Sequence, residues 1–273
     1  MFLNAGRAVV KQIGLLLLMY ALTRILFFIF NLSYFNFSEL PGALFYGLRF
    51  DFSVIFLLNS ILFFILLLPF KFVNKDAFRR IYLILFISVN ALAILFNCID
   101  MGYFEFIQKR STFDLFTTMG GENDGRQVIV NYIIDYWYLL LIWIGVIILL
   151  IRFTPMPQVS IEKISPRSKF GILLLLLMII APLMILGSRG GWQYRPIDMI
   201  TATNYADGKH VSLVLNSPFC ILKSANRAQL ELVQFLKDKE LAQVYSALHY
   251  PKDTIPFQEK NVVIIVMESF GSE

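Results

Sequence analysis

The chain has 273 residues, of which 58% are hydrophobic and 16% are charged. Soluble domains are roughly half apolar and about a quarter charged, so this composition indicates a membrane protein. The formal net charge of +5 is modest, and no basic stripe with interleaved aromatic residues occurs, which argues against a nucleic-acid partner. The 2 histidines and 2 cysteines are too few for a self-contained metal centre of the usual kind or for a disulfide framework.

Five apolar segments are long enough to cross a bilayer as helices, at roughly 1.5 Å of rise per residue. The first lacks a small-residue cleavage site and is long for the core of a signal peptide, so we interpret it as a retained span. Pro182, inside the fifth segment, predicts a kink because proline cannot donate the helical hydrogen bond. The predicted spans are residues 12–31, 52–70, 81–97, 134–151 and 170–187.

Basic residues are divided unevenly between the two sides of these spans. Cytoplasmic loops carry the excess of Lys and Arg, so the richer side is predicted to be cytoplasmic. The N-terminus lies on that side, which places the chain after residue 187 outside a plasma or inner membrane. The richer side carries Arg7, Lys11, Lys71, Lys75, Arg79, Arg80, Arg152, Lys163, Arg167 and Lys169, and the other side carries Arg49, Lys109, Arg110 and Arg126.

A set of basic residues is predicted at the outer face of the membrane. The arginine fork suits phosphate, so these residues are candidates for binding the headgroup of an anionic phospholipid. General anchoring to phospholipid is the alternative for each of them. The set consists of Arg49, Lys109, Arg110, Arg189 and Arg195.

Arg24 lies inside the first predicted span, where an ionisable residue is expensive. Two roles are open: a functional group facing the bundle, or a side chain that reaches the interface or pairs with an asparagine on a neighbouring span. We favour the second, because Arg24 lies past the midpoint of the span. A transporter would require polar pairs buried within the spans or an internal repeat, and neither is evident in the sequence.

From about residue 188 the composition becomes that of a soluble linker, which we extend to residue 258. Ser217 followed by Pro218 predicts a helix start, with Ser as the N-cap and Pro at the first helical position. Residues 228–248 carry apolar side chains at helical spacing, interrupted by a charged run at 237–240. This pattern predicts an amphipathic helix that packs on the membrane surface or on a further domain.

The segment 262–267 is a short, continuous apolar run rich in β-branched residues. Such a run is typical of a strand buried on both faces of a parallel sheet. Glu268 follows directly, at the end of the strand where functional groups of open α/β sheets lie. A carboxylate there suits Mg²⁺ or Mn²⁺, and a solubilising acid is the alternative. Ser269 lacks a nucleophile-elbow motif, so we do not predict a nucleophile there.

These features together resemble the N-terminal part of the lipoteichoic acid synthase family, within the alkaline phosphatase and sulfatase superfamily. The resemblance covers nearly the whole chain, and its specific part is the last motif. The residues that carry it are Gly-Leu-Arg-Phe-Asp at 47–51, Lys-Arg at 109–110 with Phe-Asp at 113–114, Arg-Gly-Gly at 189–191, Leu-Asn-Ser-Pro-Phe at 215–219 and Asn-Val-Val-Ile-Ile-Val-Met-Glu-Ser-Phe-Gly at 261–271.

The resemblance implies a membrane-anchored enzyme with an extracytoplasmic α/β domain. Such enzymes move phosphoglycerol or phosphoethanolamine from a phospholipid to a glycan or glycolipid acceptor. A threonine nucleophile and Mn²⁺ or a similar cation are implied, and Glu268 matches one ligand of that cation. The threonine and the remaining ligands would lie beyond residue 273, so we expect this polypeptide alone to be inactive and to bind no cation.

The expected fold is therefore mainly α. It comprises a five-helix transmembrane bundle at 1–187, a helical extracytoplasmic linker at 188–258 and the first β-strand of a truncated α/β sulfatase-like domain at 259–273. The leading interpretation is the membrane-anchoring portion of a metal-dependent phosphoglycerol or phosphoethanolamine transferase. One alternative is a sulfatase or phosphodiesterase of the same superfamily, and another is a non-catalytic scaffold or transporter.

Overall fold

The computed structural model describes residues 2–116, 131–155 and 166–225, all within one compact unit, Met1–Arg227. The expected strand at 262–267, Glu268 and the expected helix at 228–248 lie outside the described residues. Within the described ranges the secondary structure is helical and contains no strand. The main helices are α1 (Phe2–Phe30), α2 (Leu40–Leu67), α3 (Asp76–Ile107), α4 (Trp137–Phe153), α5 (Pro166–Leu175), α6 (Ala181–Arg189), α7 (Val211–Val214) and α8 (Ser217–Ser224).

Among the described residues, four helical segments are long and apolar enough to cross a membrane: Asn4–Phe30, Phe37–Leu67, Asp76–Ile107 and Ser168–Arg189. The protein is therefore a multi-pass membrane protein. Helix α4 is also apolar, but its 17 residues make it shorter than the other four. A fifth span at α4 therefore stays a prediction, as does the orientation of the bundle.

Two of the long helices extend well beyond the spans expected from hydropathy. Helix α2 begins at Leu40, so residues 47–51, which were expected in an outer loop, lie inside a helix. Helix α3 continues to Ile107, ten residues past the end of its apolar segment at residue 97. Hydropathy locates the apolar part of a helix only, and a helix continues wherever its backbone hydrogen bonds and packing are satisfied.

The bundle is held together by α1, which packs against both α2 and α3, while α3 packs against α4. Aromatic rings fill the junction between α1 and α3. Phe104 makes an edge contact with Phe27 at 5.0 Å and stacks on Phe35 at 5.2 Å. All three side chains are at most 4% exposed, so this end of the bundle is a packed core.

The last span is irregular just before Pro182, the residue at which a kink was expected. The α-helical pattern is replaced by a π-helical turn at Leu176–Ile180, directly before α6. Proline at the second position of α6 has no N–H to donate to the preceding turn, and π turns in long helices are local adjustments of this kind.

The chain turns sharply where α6 ends. Gly190 adopts φ 75° and donates its N–H to the Gly187 carbonyl at 3.0 Å, which closes the helix. A Cβ at Gly190 would lie 2.4 Å from the Ile197 side chain, so glycine is required there for space as well as for conformation.

After this turn the chain does not leave the bundle. Helix α7 packs against α1 and α2, and α8 packs against α2 and α3. The N-cap of α8 is Asn216, whose side chain accepts from the Phe219 N–H at 2.8 Å. The expected cap at Ser217 was therefore wrong by one residue, and Pro218 occupies the second helical position rather than the first.

Candidate functional site

The most unusual feature of the bundle is a buried ion pair between α1 and α2. The Arg24 guanidinium donates two parallel hydrogen bonds to the Asp51 carboxylate, at 2.6 and 2.7 Å. The two side chains are 2% and 0% exposed. The expectation that Arg24 reaches the interface or pairs with an asparagine was therefore wrong. A two-pronged bond to a carboxylate satisfies the guanidinium better than one amide can.

The remaining donors of Arg24 are used by the segment that follows α6. Its Nε donates to the Leu213 carbonyl at 3.0 Å, and a terminal nitrogen donates to the Val214 carbonyl at 3.1 Å. These carbonyls lie at the end of α7, where helical acceptors lack partners. Asn216 adds a donor to Asp51 at 2.8 Å. The ion pair thus binds α1, α2 and the α7–α8 segment together.

A second ion pair lies beside the first. Arg110 approaches Asp100 to 3.9 Å, and these side chains are 3% and 0% exposed. Asp100 accepts from the Ser217 hydroxyl at 2.5 Å and from the Ser111 N–H at 3.0 Å, and the Ser111 hydroxyl donates to it as well. Arg110 donates to the Ser212 carbonyl at 2.8 Å. Asp100 and Arg110 therefore attach the same segment to α3.

Two further interactions stabilise the Arg110 side chain. Its guanidinium carbon lies 3.5 Å from the centre of the Phe27 ring, a cation–π contact in a desolvated site. Burial lowers the pKa of Arg110 to about 10, and the Asp100 carboxylate opposes that shift. The guanidinium consequently remains charged at neutral pH, which the Asp100 pair requires.

Two adjacent residues join the pairs into one network, because Asn216 bonds to Asp51 and Ser217 bonds to Asp100. Asn97 extends this network. It accepts from the Ser217 N–H at 3.0 Å, and its amide donates to the Thr23 hydroxyl at 3.4 Å. We call this network the polar layer. Its members are Arg24, Asp51, Asn97, Asp100, Arg110, Asn216 and Ser217, each at most 4% exposed.

Gly47 makes room for the polar layer on α2. A Cβ at this position would lie 2.4 Å from the Arg24 Cζ and 2.7 Å from both terminal nitrogens. Any side chain at residue 47 would therefore displace the guanidinium from Asp51. The spacing Gly47-x-x-x-Asp51 places the space and the carboxylate on one face of α2, one turn apart.

Arg49 organises a second site at the end of α6. It donates to the Gly190 carbonyl at 2.7 Å, to the Gln193 side-chain oxygen at 2.8 Å and to the Tyr205 hydroxyl. Arg189 donates to the carbonyls of Gln193 and Tyr194, at 3.2 and 2.8 Å. Both arginines therefore hold the loop that follows α6.

The five headgroup candidates do not meet in one place. Arg110 is buried in the polar layer, and Arg49 and Arg189 are half-buried and bonded to their own chain. Lys109 and Arg195 are exposed. Because Arg110 is buried and bonded within the polar layer, it does not belong to a headgroup site at the surface.

Sequence reasoning missed the acidic half of the polar layer. Asp51 was assigned to an outer loop, and Asp100 to the loop that follows the third span. One signal was available, because a buried arginine requires a counter-charge. Asp51 is an acid at the edge of the second apolar segment and therefore a natural partner for Arg24.

Buried polar pairs also occur at other levels of the bundle. Asn59 on α2 and Asn90 on α3 exchange hydrogen bonds at 3.1 and 2.8 Å. The Tyr82 hydroxyl donates to the Gln12 side chain at 2.6 Å. The expectation that the spans contain no paired polar residues was therefore wrong, because such pairs are invisible without knowledge of which helices are neighbours.

The metal expected from the resemblance cannot be located in the described residues. They contain no group of three or more His, Cys, Asp or Glu side chains placed to hold an ion. Glu268, the expected ligand, lies outside those residues.

No family model matches the chain, and neither a curated protein nor a solved structure is similar to it.

Proposed function

We propose that residues 2–225 form the membrane domain and docked linker of a metal-dependent phosphoglycerol or phosphoethanolamine transferase, whose extracytoplasmic catalytic domain begins near residue 259. The donor would be an anionic phospholipid and the acceptor a glycan or glycolipid. Glu268 would be one ligand of a Mn²⁺ or Mg²⁺ ion.

One observation carries this proposal. The segments on which the resemblance rests are far apart in sequence, yet four of them contact one another in the structure. Asp51 bonds to Asn216, and Arg49 bonds to Gly190. Arg110 donates to Ser217 at 3.4 Å. Residues chosen by resemblance alone would have no reason to meet, so their convergence supports a shared role.

The convergence also supports a specific task for the membrane domain. The α7–α8 segment is attached to the bundle by buried charged hydrogen bonds, which are roughly twice as strong as neutral ones. A segment fixed in this way gives the following chain a fixed starting point on the membrane. For an enzyme that takes a lipid headgroup, a fixed starting point keeps the catalytic domain close to its substrate.

A second function, a transporter or scaffold, is favoured by the buried polar pairs. Ionisable residues inside spans often line the pathway of an ion or substrate. The polar layer does not resemble such a pathway, because its charged groups are bonded to one another and to backbone carbonyls. The space beside Arg24, Asn97 and Arg110 also has no room for a water molecule. We therefore rank the transferase first.

The test uses the gene extended in frame past codon 273. The protein is reconstituted in vesicles that contain phosphatidylglycerol labelled in the headgroup, with Mn²⁺ and a glycolipid acceptor. We expect transfer of the label to the acceptor. Glu268→Gln should lower the transfer rate at least about tenfold, because substitution of residues that merely orient metal ligands already lowers activity by that factor. Ser269→Ala is the matched control and should retain activity.

The extended sequence itself decides between the alternatives. An in-frame threonine nucleophile with an Asp-His pair supports transfer, whereas a formylglycine-type Cys or Ser motif supports a sulfatase. If neither follows and no label is transferred, the enzyme proposal is wrong and the scaffold or transporter function replaces it.

A further inference from the structure

An apolar groove runs between α3 and the start of α4. Its volume is about 390 Å³ and its walls are almost wholly apolar. No member of the polar layer lines this space. We call it the α3–α4 groove, and its walls include Leu95, Phe96, Ile99, Ile133, Leu139 and Leu140.

The groove is fixed by contacts on either side of it. The Trp143 indole N–H donates to the Ala91 carbonyl at 2.9 Å, and the Tyr132 hydroxyl donates to the Ile99 carbonyl at 2.6 Å. Between these two contacts the helices are held at a set separation, so the space cannot close by a simple approach of α4. The groove is therefore held open by the packing of the bundle.

The groove has an additional wall that closes one of its ends. The segment that follows α3 turns back along the helix, and the Phe116 ring makes an edge contact with Phe96 at 5.7 Å. Leu115, which is 7% exposed, lines the same end. Apolar side chains therefore close the groove at this end.

The chemistry of the walls decides what fits. A space of this volume lies within the range of ligand sites, roughly 300–1,000 Å³. Water is unsuited, because an apolar space lacks the 2–4 polar partners that a buried water needs. A peptide is unsuited, because its N–H and C=O groups would find no partners among these walls. A flexible hydrocarbon chain satisfies both the shape and the chemistry.

The location of the groove identifies the source of that hydrocarbon. α3 spans the membrane, and Ile133 and Leu140 beside the groove are 55% and 47% exposed on the outer surface of the bundle. The surroundings of that surface are lipid tails. We propose that the α3–α4 groove binds one acyl chain of a membrane lipid. This site needs only the membrane placement of the helices, so it stands independently of the proposed transfer reaction.

The test uses the full chain in vesicles of phosphatidylcholine and phosphatidylglycerol, with a trace of phosphatidylglycerol that carries a photoactivatable diazirine near the end of an acyl chain. After irradiation, cross-linked peptides are identified by mass spectrometry. We expect cross-links concentrated on residues 95–99 and 132–140. An even distribution over every lipid-facing surface, including α5 and α6, would contradict the proposal, as would cross-links that join the groove to a second copy of the chain.

A pair of adjacent substitutions sharpens the test. Leu140→Trp fills the groove, whereas Leu141→Trp adds the same bulk at a position that does not line it and is 55% exposed. Loss of contact with about two methylene groups lowers occupancy roughly tenfold, so Leu140→Trp should reduce groove cross-links by about that factor. Equal cross-link yields for the two variants would overturn the proposal. If Leu140→Trp does not fold, the distribution of cross-links on the unaltered chain still tests it.

The outcome separates this proposal from the proposed reaction. Groove cross-links without headgroup transfer by the extended protein would support the acyl-chain site and reject the transferase. Transfer without groove cross-links would support the transferase and reject the acyl-chain site.

Discussion

The Asp51 carboxylate accepts two hydrogen bonds from the Arg24 guanidinium, at 2.6 and 2.7 Å, inside a bundle of apolar helices. Each charge is almost completely removed from solvent, so each depends on the other. The same pair holds the carbonyls of Leu213 and Val214. A single salt bridge therefore joins two membrane helices to the linker that follows the last span.

Removing one partner of this pair should destabilise the protein strongly. Asp51→Asn leaves the Arg24 charge buried without its counter-charge, and such a loss costs about 3–5 kcal/mol. We expect a large decrease in the midpoint of thermal unfolding, measured in detergent by the fluorescence of the native tryptophans.

The control for Asp51→Asn is Asp76→Asn. Asp76 lies 3.5 Å from Arg79 on the surface and its side chain is 86% exposed, so this pair is worth at most about 1 kcal/mol. The replacement of both Arg24 and Asp51 by Leu should cost less than Asp51→Asn alone, because no unpaired charge remains. Equal unfolding midpoints for Asp51→Asn and Asp76→Asn would show that the buried pair has no special importance.

Gly47 should tolerate no side chain. Gly47→Ala places a Cβ 2.4 Å from the Arg24 Cζ, so the guanidinium has to move away from Asp51. We expect a loss of about 1–3 kcal/mol, the usual cost of overpacking, although alanine favours a helix more than glycine does. The measurement is again thermal unfolding.

Gly14→Ala is the matched control for Gly47→Ala. A Cβ at Gly14 meets nothing within 4 Å, so only helix propensity changes and the variant should be neutral or up to about 1 kcal/mol more stable. Opposite signs for the two glycines are the expected result. Stabilisation of both would mean that the space at Gly47 is not needed.

Asn216 performs two tasks that substitutions can separate. It accepts from the Phe219 N–H as the cap of α8 and donates to Asp51. Asn216→Asp retains a good cap but places a second carboxylate against Asp51. Asn216→Ser also retains a cap and adds no charge. We expect Asn216→Asp to expose the α7–α8 segment far more than Asn216→Ser does.

Hydrogen exchange of residues 211–224 measures that exposure. In Asn216→Asp the backbone amides of this segment should lose protection while those of α3 retain theirs. Protection equal in the two variants would mean that the contact with Asp51 does not hold the segment in place.

Local patterns in the sequence predicted the parts of this fold that depend on composition and spacing. Apolar runs located the four long spans, because burial in lipid requires nearly continuous apolar residues. Pro182 predicted a kink in the last span, because proline removes one helical donor, whereas the π turn that precedes it was not predicted. The polar layer was not predictable in this way. Asp51 and Asn216 are 165 positions apart, and no local sequence pattern indicates that they are in contact.

The headgroup candidates illustrate the same limit. Arg110 and Lys109 are adjacent and equally basic, yet Arg110 is 4% exposed and Lys109 is exposed. The difference arises from Asp100 and Phe27, which meet Arg110 only after α1 and α3 pack. Charge sign and membrane side are sequence properties, whereas the availability of a charge for a ligand depends on tertiary contacts.

The number of spans leads to the last prediction. Helix α4 alone has 17 residues, about 26 Å at 1.5 Å each, which is less than the roughly 30 Å of a hydrocarbon core. Residues 131–135 are helical as well, and with Tyr136 they lengthen the segment to residues 131–153, about 35 Å. The combined segment is long enough to cross, so we predict five spans with the N-terminus in the cytoplasm.

Reporters fused after Gly187 distinguish five spans from four. With five, a phosphatase that is active only outside the cytoplasm should be active there and a fluorescent protein that folds only in the cytoplasm should be dark. A fusion after residue 153 should give the reverse, because α4 would have returned the chain to the inside. If α4 does not cross, each fusion gives the opposite of its expected result, because residue 153 then lies outside and the last span returns the chain to the cytoplasm. A phosphatase that is inactive after Gly187 would therefore reject either the fifth span or the predicted orientation, and a third fusion after residue 33 decides which, since its location depends on orientation alone.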